Sequence, residues 1–401
     1  MYQNVAIIAL FGFAFALVSG PVARSWISAP IVFVAGGLFL GPGGVGLLSL
    51  DMTAGMLRLF AELALAMVLF TDAAKADLAR IRRSIGLPER LLLIGLPLTI
   101  LFGLLLARVL FPQLALVELA LLATILAPTD AALGEPVVSN AAVPADLREA
   151  LNVESGLNDG ICVPVVLLLI GVAEGAEMHG GAAVHVARTV VEEIGVGLAV
   201  GAALALAASV LLRVAVRQGW IAAHWHDLAV VALAIGSFAA AQAIGGSGFI
   251  ACFVGGLVFN LRSEDRALLH GAEAAGSALS LATWVCFGAA VVWQVSDRIT
   301  GAVILYAVLS LTIVRMLPVY LSLAGTRMPS RDRLFVGWFG PRGLASIVFG
   351  ILVIDAGLPN FSTLAAIIVC TVLFSVLAHG ATANPLVAAL TPRWARPTRP
   401  T

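Results

Sequence analysis

The sequence predicts an all-α polytopic membrane protein of about 13 transmembrane helices, arranged as inverted six-helix repeats with two broken crossing helices. Three observations predict it. Hydrophobic residues fill 61% of the 401 positions and charged residues 11%, with a mean hydropathy of +1.04. A soluble chain with that balance could not cover its apolar surface. The apolar residues also fall into runs near the ~20 residues that a helix needs to cross a bilayer. Finally, the basic residues crowd into alternate connections, as the positive-inside rule requires of a multi-pass chain.

In chain order the apolar runs cover 4–20, 28–46, 55–72, 90–110, 115–136, 150–173, 189–213, 227–244, 247–260, 275–294, 300–324, 335–355 and 363–389. The first, within MYQNVAIIALFGFAFALVSG, lacks the basic start of a signal peptide and reads as a retained span. No connection has the length or polarity of a separate soluble domain, so 1–401 reads as a single transmembrane domain. An odd number of spans puts the termini on opposite sides. One set of connections holds Arg24; Lys75, Arg80, Arg82, Arg83 and Arg90; Arg148; Arg213 and Arg217; Arg262 and Arg266; Arg327, Arg331 and Arg333; and Arg393, Arg396 and Arg399. The alternate set holds only Arg188 and Arg298, with Arg108 near a helix end. The expectation is an N-terminus outside, a C-terminus in the cytoplasm and a bacterial inner-membrane location.

Net charge is zero and says nothing about partners. The four cysteines, Cys162, Cys252, Cys286 and Cys370, lie in apolar runs without CxxC spacing and read as small buried residues. There is no phosphate-binding loop for direct ATP drive, no nucleophile–base pair that would suggest an enzyme, and no nucleic-acid signature.

Two spans are interrupted in matching places. The fifth carries Pro128 with polar Thr129 and Asp130 at its middle, and the twelfth carries Gly340, Pro341 and Gly343 in its first half. Each is fifth in its six-span half, with the seventh span between the halves. The second half is therefore upside down relative to the first. Pro and Gly can merely kink a membrane helix. Matched interruptions in inverted halves point instead to a binding site near the midplane, the layout of secondary transporters.

A charge at the centre of a spanning helix costs about 2.5–3.5 kcal/mol, so each needs a partner or a task. The candidates are Asp130, Glu154, Asp159 and Arg315, with Asp72 at the inner end of the third span. Arg58 and Glu62, four apart, are expected to satisfy each other. On the sixth span Ser155 and Asp159 share one direction and Glu154 and Asn158 another, offset by about 100°. Arg315 keeps its charge and needs an anion. By elimination Glu154 is the best-placed partner; the alternatives are snorkelling or binding to carbonyl oxygens. Asp159, Asp130 and Ser155, with the Thr129 carbonyl at the break, then offer hard oxygen ligands for a small monovalent cation. A carboxylate out of water can be neutralised by a cation or by a proton, and the two exclude each other. Of the histidines, His224 and His226 read as surface residues of an inner loop, and His379 as a satisfied packing residue.

The stretches LAPTDAAL, NVESGLNDG and GWFGPRGLAS resemble the signature segments of the cation:proton antiporter family that includes prokaryotic NhaP-type proteins and animal Na⁺/H⁺ exchangers. The resemblance covers essentially the whole chain. It implies a homodimer among membrane lipids. A core of spans 4–6 and 11–13 (about 90–173 and 300–389) would move against a dimerisation part of spans 1–3 and 7–10 (about 1–86 and 189–294). It implies an ion at Asp159, near Asp130, Ser155 and Thr129, with Asn158 orienting the site. It implies a buried Glu154–Arg315 ion pair and matches Arg342 to the arginine of the glycine-rich segment. Prokaryotic members carry Phe-Glu-Gly-Gly at the end of span 3, where this chain has Phe70-Thr71-Asp72-Ala73; Asp72 is a possible further ligand. Asn before the key Asp accompanies electroneutral exchange in this superfamily. The resulting expectation is a Na⁺/H⁺ antiporter (Na⁺ or Li⁺ against H⁺) without a cofactor. K⁺/H⁺ exchange is the alternative, followed by a passive cation channel or a transporter-like sensor.

Overall fold

The computed structural model describes residues 2–48, 55–76, 86–177, 182–260 and 266–394. Among these residues the regular structure is entirely helical. Arg80, Arg82, Arg83, Arg262, Arg396 and Arg399, and the side chains of Arg24, His224, Arg266 and His226, lie outside the described parts.

The helices are α1 (Tyr2–Arg24), α2 (Ala29–Leu40), α3 (Gly55–Lys75), α4 (Leu87–Leu110), α5 (Leu116–Ile125), α6 (Ala131–Val138), α7 (Ala145–Glu177), α8 (Ala182–Arg217), α9 (Ala223–Ala243) and α10 (Gly248–Asn260). They continue with α11 (His270–Gln294), α12 (Gly301–Ser322), α13 (Ser330–Trp338), α14 (Leu344–Asp355) and α15 (Phe361–Trp394). Seven are long and apolar enough to cross a membrane by length and composition, and shorter apolar helices occupy most of the other apolar runs. Each predicted span coincides with one helix or with a pair of half-helices: α5 and α6 form the fifth span, α13 and α14 the twelfth. The chain is a multi-pass helical membrane protein.

Both interruptions have local causes. Pro128 has no N–H to continue α5 and disfavours helical backbone at Ala127, so α5 stops at Ile125 and helix resumes at Ala131. In the twelfth span Gly340, Pro341 and Gly343 separate α13 from α14. The eleventh span carries an interruption that its composition did not reveal. Thr312 leaves helical geometry (φ −106°, ψ −91°), three residues before Arg315.

Helices α4–α7 and α12–α15 pack on one another, with α5 against α4 and α7, and α15 against α6, α12 and α14. Helix α3 packs against α9, α10 and α11, and α10 against α8 and α9. Helices α7 and α14 meet α3. These contacts put the two broken spans and α7 together, with α3 across from them. All four cysteines are buried and free.

Candidate functional site

A helix end exposes unpaired N–H groups at its start and unpaired C=O groups at its finish, and lipid supplies no water to satisfy them. At the centre of this fold the broken spans satisfy each other. The Asp130 N–H donates to the Pro341 carbonyl at 2.8 Å. The Asp130 carboxylate caps two half-helices: Oδ1 accepts from the Leu133 N–H of α6 at 3.1 Å, and Oδ2 from the Leu344 N–H of α14 at 2.7 Å. In the other direction, Arg342 Nη1 donates to the carbonyls of Ala127 (2.5 Å) and Pro128 (2.9 Å), just past α5. The Ser346 hydroxyl donates to the Ile125 carbonyl at 2.9 Å. An anion thus faces helix N-termini and a cation a helix C-terminus, the favourable pairing with each macrodipole. Gly343 is required by this closeness, because a Cβ there would collide with the Asp130 carboxylate.

Helix α7 adds the second layer. Ser155 Oγ and Thr129 Oγ1 are 2.9 Å apart, and Asn158 Nδ2 donates to the same Thr129 Oγ1 at 2.7 Å. The Thr129 hydroxyl thus ties the fifth-span break to α7. Asp159 follows on the same helix, buried, and its Oδ1 has no hydrogen-bond partner among the described residues. The same is true of Asn158 Oδ1. The electrostatic neighbours of Asp159 are Asp130 and Asp72, of like charge, and Arg342, of opposite charge.

Asp159 lines a cavity of about 980 Å³ together with Asp130, Asp72, Thr71 and Asn152. Its α7 lining runs from Ala145 to Asp159 and its α3 lining from Leu65 to Lys75, with Ala76 just past the helix end. Beyond the break it takes only Leu344 from α14. The cavity therefore reaches Asp159 from the end of the bundle that carries Lys75, Arg148, Glu149 and Glu273. Lys75 and Glu273 pair across that mouth at 3.0 Å. Gly156 faces the Asp72 side chain, so α3 passes close to α7 one turn from Asp159. Asp72 shares the cavity with Asp130 and Asp159. Among the described residues no three His, Cys, Asp or Glu side chains cluster as metal ligands. The oxygen set at Asp159 is mixed, with carboxylates and hydroxyls.

Glu154 and Arg315 lie apart from that set. Arg315 Nη1 and Nη2 donate to Glu154 Oε1 and Oε2 at 2.6 and 2.8 Å, both side chains being fully buried. Such a two-pronged bond matches the planar guanidinium to the carboxylate. Gly340 lies against the Arg315 guanidinium, so the pair also fixes the approach of the twelfth-span break. Arg58 bonds Glu62 at 2.6 Å, as their spacing suggests, and also reaches Asp355 of α14 at 2.5 Å.

Several participants escaped the sequence reading. Arg342 entered it only through resemblance, although a buried arginine beside a Gly-Pro break needs an acceptor as much as Arg315 does. Ser346 and Ser375, whose Oγ accepts from the Arg342 N–H at 2.6 Å, have no sequence signal beyond being polar in apolar spans. His379, read from the sequence as a packing residue, also meets polar neighbours. It is buried, its Nδ1 lies within hydrogen-bond range of the Ser375 hydroxyl and carbonyl, and its ring lies against Trp338.

Crossed broken helices that enclose buried carboxylates define an ion-handling membrane protein of the inverted-repeat kind. The family model for the sodium/hydrogen exchanger transmembrane region matches residues 6–389, and the chain belongs to that family. It is 25% identical over 375 residues to the K(+)/H(+) antiporter NhaP2 of Shewanella sp. (strain MR-4), covering 91% of this chain and 63% of that protein. It is 27% identical over 371 residues to the K(+)/H(+) antiporter NhaP of Alkalimonas amylolytica, covering 90% and 62%. The chain thus spans less than two thirds of the length of these curated relatives. Its fold is similar to that of the sodium proton antiporter MjNhaP1 from Methanocaldococcus jannaschii at pH 8, with a TM-score of 0.75 and 20% identity over 97% of this chain and 99% of that one.

Proposed function

We propose that the protein is a secondary active cation:proton antiporter that exchanges one monovalent cation for one proton at Asp159 by alternating access. The observation that carries this reading is the Asp159 oxygen that has no hydrogen-bond partner among the described residues, at the end of a one-sided cavity and near Asp130, Ser155 and Thr129. A carboxylate there needs a positive partner, and either a cation or a proton supplies it. The two compete for one site, so each crossing carries one or the other.

Charge counting supports one-for-one exchange. Leaving aside half-buried Asp72 on α3, the groups at the crossing itself are half-buried Asp130 and buried Glu154 and Asp159 against buried Arg315 and Arg342. With Asp159 ionised they sum to one negative charge, which one proton or one monovalent cation cancels. Both loaded forms are neutral and avoid the cost of moving net charge through the bilayer. Asn158 contributes no charge of its own, which is consistent with electroneutral exchange.

Na⁺ or Li⁺ is the first reading for the cation, because the ligands are hard oxygens. K⁺ is the second, favoured by the K(+)/H(+) names of both relatives. In the same reading the protein is a homodimer in a bacterial inner membrane, with the N-terminus outside and the cavity mouth facing the cytoplasm. Spans 4–6 and 11–13 rock as a core against a dimerisation part of spans 1–3 and 7–10.

The test uses proteoliposomes holding a preformed pH gradient, to which Na⁺, Li⁺ or K⁺ is added. Coupled exchange dissipates the gradient with a cation preference, without generating a membrane potential. A gradient that no cation collapses would refute antiport, and a transport current would refute the one-for-one ratio.

A further inference from the structure

His379 belongs to a stripe on α15 that the ion site does not use directly. Ser375, His379 and Thr382 are spaced four and three residues apart, which puts them on one face of that helix. All three reach the flanks of the twelfth-span break. The Ser375 hydroxyl accepts from the Arg342 N–H at 2.6 Å, on the far side of the break. Thr382 Oγ1 accepts from Trp338 Nε1 at 3.0 Å, on the near side. The His379 ring lies between them, tilted 40° against the Trp338 ring with centroids 5.1 Å apart. Its Nδ1 is 3.1 Å from the Ser375 hydroxyl and 3.0 Å from the Ser375 carbonyl. In either tautomer the ring is tied to Ser375 through Nδ1.

We propose that His379, acting through Ser375, is a positioning residue for the cation site: the pair clamps α15 across the twelfth-span break and sets where Arg342 stands. The chain of contacts continues from there. Arg342 holds the Ala127 and Pro128 carbonyls, and the next residues are Thr129 and Asp130. Thr129 in turn is tied to Ser155 and Asn158. A slack clamp lets the Arg342 segment and the fifth-span break shift together, and the oxygens around Asp159 lose their registration. The packing explanation predicts a different pattern, since a ring that only fills space is replaceable by any side chain of similar volume.

This inference rests on the antiport reading, and the experiment separates the two. His379→Asn places a hydrogen-bonding atom where Nδ1 stands, whereas His379→Leu fills the space without one. Each variant, with Ser375→Ala and Ser375→Ala/His379→Leu, is reconstituted and its pH-gradient dissipation titrated with Na⁺, Li⁺ and K⁺. Losing one buried hydrogen bond corresponds to about fivefold in affinity. The expected result is His379→Asn within about twofold of wild type in half-saturating cation concentration. His379→Leu and Ser375→Ala should each be weakened about fivefold, and the double variant no more than either alone. Unchanged affinity in His379→Leu, an equal loss in His379→Asn, or additive losses in the double variant would overturn the proposal. Should His379→Leu fail to fold, Ser375→Ala decides alone, and unchanged affinity there overturns it. A wild-type protein that dissipates no gradient refutes the antiport reading itself, and this inference with it.

Discussion

The carboxylate of Asp130 on the fifth span accepts the backbone N–H of Leu344 on the twelfth, 2.7 Å away. One side chain therefore closes the start of a half-helix from the opposite repeat while also capping its own. Asp130 is a structural cap and a candidate ligand at once, and Asp159 has no comparable structural load.

That contrast makes the first prediction. Asp159→Asn should abolish exchange in vesicles while the melting temperature in detergent stays at or above the wild-type value, because the variant removes a buried charge that lacks, among the described residues, a hydrogen-bond partner at one oxygen. A folded Asp159→Asn protein with full activity would place the site elsewhere.

Asp130→Asn should instead lower both activity and stability. It removes the anion facing two helix N-termini and turns an NH₂ group toward at least one backbone N–H. The expected loss is about 1–3 kcal/mol, read as a lower melting temperature. An unshifted melting temperature would deny the capping role.

Glu154→Gln should behave as a stability variant. Breaking one side of a buried ion pair costs about 3–5 kcal/mol, because Arg315 is left without its counter-charge. Expression and melting temperature should fall, and protein that does fold should keep its apparent cation affinity. A stable Glu154→Gln protein with altered affinity would move Glu154 into the ion site.

Gly343→Ala tests the crossing itself. The added methyl would occupy the Asp130 carboxylate's position, so the two breaks must separate. Overpacking of this kind costs about 1–3 kcal/mol, and exchange should fall with it. Wild-type transport by Gly343→Ala would mean that the crossing tolerates separation.

Arg58 ties α3 to Asp355 at the end of the bundle opposite the cavity mouth. The pair is partly exposed, at 41% and 26% of the side chains, and so contributes under about 1 kcal/mol. Asp355→Asn should therefore change the exchange rate by less than about fivefold, with the difference shrinking at high salt. A complete loss of transport in that variant would give the pair a larger role than its exposure permits.

Much of this protein was legible in the residues. Hydropathy decided that the chain spans a membrane, because backbone in lipid must be helical and about 20 residues long, and the runs can be read off directly. Pro128 and the Gly340-Pro341 pair decided where two spans break, because the missing N–H groups are written in the residue types. The cost of charge in hydrocarbon singled out Asp130, Glu154, Asp159 and Arg315, and elimination among them put Glu154 with Arg315. Tertiary structure decided how the breaks close on each other. That Arg342 meets the Ala127 and Pro128 carbonyls, that Asp130 caps α14, and that the Thr129 hydroxyl meets Ser155 and Asn158 all depend on residues far apart in sequence meeting at hydrogen-bond range. The same holds for His379, whose polar stripe became meaningful only once α15 was seen to straddle the break. Sequence determines which groups lipid will not tolerate alone, because that cost is local, whereas their partners depend on packing between distant segments.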